Sequence, residues 1–169
     1  MRSMVLGVAA AALLGGAASA QGFNVSGGYT IFDGDDSSLG ALTGRIGYDL
    51  STTFGVEAEG HFGVTEEDFP GGSSKLESGF SGYGVARFPI DMNGSNVFGR
   101  VGYGTLTFEA SGFGATASED VSGFAYGGGG VFMVTRRFGI RGDYTRFESD
   151  DDFVDGASDT YSISALMRF

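Results

Sequence analysis

The chain ends, from Tyr161 to Phe169, in YSISALMRF. Tyr161, Ile163, Ala165, Met167 and Phe169 alternate with Ser162, Ser164, Leu166 and Arg168. One face of this stretch is aromatic or aliphatic. The other is small and polar, apart from Leu166. Alternation with a period of two marks a β-strand lying between an apolar and a wetter environment.

Seven more stretches repeat the pattern, each near the roughly 9–11 residues that a tilted membrane-crossing strand needs. The first, 23–32, sets Phe23, Val25, Gly27, Tyr29 and Ile31 against Asn24, Ser26, Gly28 and Thr30. In the second, 41–50, Leu42, Gly44, Ile46, Tyr48 and Leu50 oppose Arg45 and Asp49. The third, 54–64, has Phe54, Val56, Ala58, Phe62 and Val64 on one face and Glu57, Glu59 and His61 on the other. The fourth, 78–88, reads two ways. Either Phe80, Ala86 and Phe88 form its apolar face opposite Tyr83 and Arg87, or the reverse parity turns Tyr83 and Val85 to that side. The fifth, 97–108, places Val97, Val101 and Tyr103 opposite Arg100; the sixth, 122–134, ends with Phe132 and Val134 on its apolar face. The seventh, 138–147, sets Ile140 and Tyr144 against Arg141 and Asp143.

The connections alternate in character. Residues 51–53 and 135–137 are tight, and 89–96 contains the turn dipeptide Asn93-Gly94. Residues 33–40, 65–77, 109–121 and 148–156 are longer and acidic, with clusters at Asp33, Asp35, Asp36; Glu66, Glu67, Asp68; Glu119, Asp120; and Asp150, Asp151, Asp152, Asp155. Short turns at one end and long loops at the other predict an eight-stranded antiparallel up-and-down transmembrane β-barrel, with both chain ends on the short-turn side. Closure removes the unpaired strand edges that lipid would penalise.

The amino terminus fits export. Arg2 precedes an apolar run from Met4 to Leu14, and Ala18-Ser19-Ala20 forms a small-x-small cleavage site. Residues 1–20 read as a signal peptide and 21–169 as one barrel domain. The chain has no Cys, so a disulfide framework and thiolate chemistry are excluded. Its 32 Gly are interleaved with 16 Phe and 7 Tyr, unlike a disordered chain. A net charge of −11 disfavours nucleic acid, which needs basic surface.

Residues 126–147, YGGGGVFMVTRRFGIRGDYTRF, resemble the penultimate hairpin of the outer membrane protein A transmembrane domain and its opacity-protein relatives. There a glycine-rich strand meets a short turn and then a strand of the form apolar-Arg-x-acid-Tyr, matched here by Arg141, Asp143 and Tyr144. The resemblance implies a Gram-negative outer-membrane location in contact with membrane lipid and lipopolysaccharide. It also implies that Tyr161, Ile163, Ala165, Met167 and Phe169 are the strand read by the barrel-assembly machinery. A soluble lipocalin-like barrel or β-sandwich would place the apolar face inside. The terminal aromatic strand, the mid-strand charges and the Gly and Ser of the polar face favour the membrane form.

Arg45, Glu57, Glu59, His61, Arg87, Arg100, Arg141, Asp143 and Arg168 are therefore expected to line the lumen as a charge network. A three-residue turn at 51–53 makes Leu50 face Phe54, Arg45 face Glu59 and Gly47 face Glu57. The same logic at 135–137 sets Gly128 opposite Tyr144 and Gly130 opposite Gly142, with the glycines letting an aromatic ring lie over the strand. Eight strands leave room only for side chains, so mutual neutralisation is favoured over a selective pore. His61 has no His-x-Ser context, Gly127 to Gly130 lack a phosphate-loop ending, and Asp33-Gly34-Asp35 lacks the calcium-loop glycine and glutamate. No catalytic residue, cofactor or metal is predicted. The expected function is a non-enzymatic, monomeric structural or surface-interaction barrel that displays acidic loops, with Phe69, Phe113 and Phe153 as loop apolar residues. A small porin-like diffusion channel is the alternative.

Overall fold

A computed structural model describes residues 22–33, 38–69, 72–112, 115–149 and 157–169. The leader and cleavage site, Asp35, Asp36, Asp150, Asp151, Asp152, Asp155, Phe113 and Phe153 lie outside the described residues. Among the described residues nine strands are formed: β1 (Phe23–Asp33), β2 (Ser38–Asp49), β3 (Phe54–Gly63), β4 (Glu66–Phe69), β5 (Gly72–Pro89), β6 (Asn96–Gly112), β7 (Ala115–Met133), β8 (Phe138–Ser149) and β9 (Ala157–Arg168). Each barrel strand pairs antiparallel with its sequence neighbour. β1 pairs with β9, and β3 pairs with β5, so eight strands close on themselves and β4 is an added edge outside the ring.

The tight turns set the register. Ser51 and Thr135 open the two three-residue turns, and each hydroxyl accepts the N–H of the residue three positions on, at 2.9 Å for Phe54 and 3.0 Å for Phe138. Small hydroxyl side chains close such turns in place of a backbone partner. The pairs Arg45↔Glu59, Gly47↔Glu57, Gly128↔Tyr144 and Gly130↔Gly142 follow. The β5–β6 turn is built on Asp91, whose Oδ1 accepts the N–H groups of Asn93 and Ser95, both at 2.9 Å. Hydrogen bonds from Ser95 first, and from Asn93, hold its carboxyl below the usual carboxylate range. Gly94 takes the left-handed conformation this turn requires, with φ of 95°.

The outer surface is apolar throughout the belt. Leu42, Phe54, Phe62, Phe80, Val101, Phe132 and Ile163 are all exposed, as lipid contact demands. In β5, Ser81, Tyr83, Val85 and Arg87 are buried while Phe80 and Phe88 are exposed, so the first of the two parities holds. A β-bulge lies between Leu76 and Ser78. The extra residue reverses the facing and turns Leu76 inward, where it is buried.

Three strands are longer than the sequence pattern indicates. Residues 109–112 and 115–121 extend β6 and β7 instead of forming a loop, and 65–77 contains β4 and the start of β5. β7 gains its β8 neighbour only at Gly123. A sheet of β4, β5, β6 and β7 therefore stands beyond the ring. The 105–112 portion of β6 alone is roughly 25 Å along the strand.

Candidate functional site: the lumenal charge network

Alternation aims the even or odd residues of each strand inward, and closure brings distant strands face to face. Arg45 from β2 donates Nε–H to Glu59 Oε2 on the adjacent strand. Its Nη2 reaches across the lumen to Asp143 Oδ2 on β8 at 3.0 Å and to Ser162 Oγ at 2.9 Å. Arg100 from β6 meets the same Glu59 oxygen at 2.9 Å, and its Nε donates to Thr145 Oγ1 at 2.9 Å. Arg141 binds Asp143 Oδ1 at 2.7 Å and crosses to Glu57 Oε1 on β3 at 2.9 Å. Arg87 takes the same Glu57 oxygen at 2.8 Å and Asp49 at 2.7 Å.

Four guanidiniums and four carboxylates thus form one connected, balanced system. Arg45, Glu59 and Arg141 are only 2–3% exposed. An isolated ion there would be several kcal/mol unfavourable, so the shared oxygens hold the arrangement together. Two guanidiniums also stack on rings: Arg100 lies 4.3 Å from the Tyr83 centroid and Arg141 lies 4.2 Å from that of Phe98. Arg168 does not join the network. It is partly exposed near the short-turn end and donates Nη1–H to the Gly94 carbonyl at 3.1 Å.

His61 continues the system toward the long-loop end. Its Nε2 lies 3.0 Å from Glu59 Oε1, and its Nδ1 lies 2.9 Å from Thr43 Oγ1. The Thr43 hydroxyl in turn contacts that of Thr30 at 2.6 Å. The His61 ring stands edge-on to Phe32 at 5.1 Å. A hydroxyl, an imidazole and a carboxylate in a row have the order of a nucleophile–base–acid set. All three are buried, and the cavity that His61 and Glu59 adjoin, between Phe32, Leu106 and Phe147, is about 10 Å³. That volume is of the order of one water.

Apart from Leu166 and Tyr83, inward-facing apolar residues were not evident from the alternation. By register, Phe32, Leu39, Leu76, Leu106, Val121 and Phe147 occupy the lumen on the long-loop side of the charges. Phe98, Val131, Met133 and Leu166 occupy it toward the short turns. The available signal was parity: Phe98 lies two residues from Arg100, and Phe147 four from Asp143. Two glycines of β7 also pack tightly against neighbouring strands. A Cβ on outward Gly128 would first meet the Phe98 carbonyl at 2.7 Å, and one on inward Gly129 would meet the Gly142 carbonyl first and then Asp143 Cβ at 2.7 Å. Their role is close backbone approach.

A closed ring of eight antiparallel strands, apolar outside and ionic within, defines the small outer-membrane barrel class. The chain matches the outer membrane protein beta-barrel domain over residues 3–169, and it belongs to that family. Solved structures that share the fold include Ail, OprG and Neisserial surface protein A. Ail of Yersinia pestis, crystallised with the heparin analogue sucrose octasulfate, is 21% identical, with 88% of this chain and 99% of that chain covered and a TM-score of 0.66. OprG of Pseudomonas aeruginosa is 15% identical over 89% and 96%, with a TM-score of 0.67. Neisserial surface protein A is 12% identical over 87% and 96%, with a TM-score of 0.62. No curated protein sequence matches the chain significantly.

Proposed function

We propose that this chain is a non-enzymatic, monomeric outer-membrane barrel that works through the acidic surface it displays and does not conduct. It would be exported by its leader, cleaved after Ala20, and inserted by machinery that reads the strand ending at Phe169. The observation supporting this reading is the connected ion network across the lumen. Arg141 bridges to Glu57 from the far side of the ring, and Arg45 and Arg100 converge on Glu59. Apolar residues flank that network on both sides. A solute path would require several buried pairs to separate together. The same burial denies a substrate access to Thr43, His61 and Glu59, which supports a structural role for that row.

The working surface is then the sheet of β4–β7 and the long connections beside it. Among residues 33–40, 64–77, 105–122 and 146–159 the only cations are Lys75 and Arg146, against sixteen Asp and Glu. Such a surface attracts cationic partners and repels a polyanion like the one crystallised with Ail. The reading is tested with cells lacking the chain, scored for surface attachment and detergent resistance. A variant carrying Glu66→Gln, Glu67→Gln, Asp68→Asn, Glu119→Gln and Asp120→Asn should assemble normally yet fail to restore attachment. Full restoration by that variant would contradict the proposal.

A further inference from the structure

The lipid-facing belt has a depression near the short-turn end, where β9 meets β1. A groove of about 220 Å³ is lined there by Val25, Gly27, Phe138, Ala165, Met167 and Phe169. Gly27 and Ala165 are cross-strand partners and form its floor. A Cβ built on Gly27 meets no atom within 4 Å, so the missing side chain leaves open space at the surface. Phe169 rests against Phe23 with ring centroids 5.9 Å apart, which braces one end.

Arg136 and Arg137 occupy the turn immediately before Phe138, and both are exposed. The Arg137 carbonyl accepts the Arg168 N–H at 2.8 Å, which fixes this turn beside the strand end that carries Phe169. Among the described residues no carboxylate pairs with either arginine. Two free guanidiniums therefore stand at the headgroup level directly beside an apolar groove. The opposite end of the barrel carries the acidic excess. An anionic lipid is consequently favoured at the short-turn end and disfavoured at the other.

We infer that this groove and the Arg136–Arg137 turn form a binding site for an anionic glycerophospholipid of the periplasmic leaflet. One acyl chain lies over Gly27 and Ala165, and the phosphate is held by the arginines. A guanidinium fork suits phosphate oxygens, and an aliphatic chain replaces packing that the small floor residues lack. The inference rests on the barrel lying in a membrane and is independent of whether the lumen conducts.

The chain has no Trp, so Phe138→Trp supplies a sole tryptophan, excited selectively over tyrosine at long wavelength, at the groove rim. The full barrel is refolded into phosphatidylcholine vesicles containing an equal minor fraction of chain-brominated phosphatidylglycerol or chain-brominated phosphatidylcholine. Heat-modifiable migration verifies folding. Quenching should report about a fivefold or greater preference for phosphatidylglycerol, the effect expected of one surface arginine. The preference should vanish in Arg136→Gln/Arg137→Gln, whose changes lie in an exposed turn. Gly27→Leu, which fills the floor, should reduce quenching by both lipids. Equal quenching by both lipids in the reporter protein, or a preference that survives both glutamines, would overturn the inference. So would arginine-dependent sedimentation with purified peptidoglycan in the absence of any lipid preference.

Discussion

Replacing Glu59 with Ala removes the acceptor for four side chains at once. Arg45 Nε, Arg100 Nη1, His61 Nε2 and Tyr83 Oη–H all converge on its two oxygens, the last three at 2.9, 3.0 and 3.3 Å. After the change Arg45 keeps Asp143 and Ser162, and Arg100 keeps Thr145 with a longer 3.6 Å approach to Asp143. Arg45 and Arg100 would then have Asp143 as their one carboxylate, and Arg141, which keeps Glu57, shares it. Breaking a buried pair by removing one partner costs about 3–5 kcal/mol, and Glu59→Ala should fall in that range. Removing a cation together with the anion leaves less charge unmatched. Arg45→Met/Glu59→Met should therefore cost at least about 1 kcal/mol less than the sum of its two single changes. Urea unfolding in detergent micelles, followed by the heat-modifiable folded band, supplies the four free energies of the cycle. Two results would refute the reasoning: Glu59→Ala within about 0.5 kcal/mol of the parent, or single losses that add within about 0.5 kcal/mol.

Deleting Phe169 should leave export intact and lower the amount of folded protein in the outer membrane; normal accumulation of the folded band would count against its assembly role. Glycines of β7 and β5 separate backbone packing from open surface. Gly129→Ala, which drives a methyl into the Gly142 carbonyl and Asp143 Cβ, should cost roughly 1–3 kcal/mol, whereas Gly82→Ala, with nothing within 4 Å, should stay within about 0.5 kcal/mol in the same urea assay.

The barrel wall was legible because lipid imposes a strict alternation on it. Tyr161 to Phe169 shows the pattern with Leu166 as its one exception, and a three-residue turn then fixed Arg45 opposite Glu59 by counting alone. Beyond the lipid belt that constraint ends. Residues 109–112 and 115–121 have no surface that must be apolar, so their Gly, Ala, Ser and Thr read as loop although they continue β6 and β7. The bulge between Leu76 and Ser78 hid the inward facing of Leu76, since one extra residue inverts parity. The trans-lumenal contacts were beyond sequence for another reason. Arg141 finds Glu57, and Arg45 finds Asp143, through the stagger of the closed ring, which no local spacing encodes. The inward aromatics Phe32, Phe98 and Phe147 were obscured by the assumption that apolar means outward.

Single-channel recording of the purified, refolded barrel in a planar bilayer tests most directly whether this lumen is sealed. With the Arg–carboxylate network intact and apolar residues on both sides of it, the unmodified protein should show little or no sustained conductance. Arg45→Ala/Glu59→Ala, which opens the middle of the network, is the comparison. Large, stable openings from the unmodified protein that change or disappear in that variant would contradict the account and make the barrel a channel.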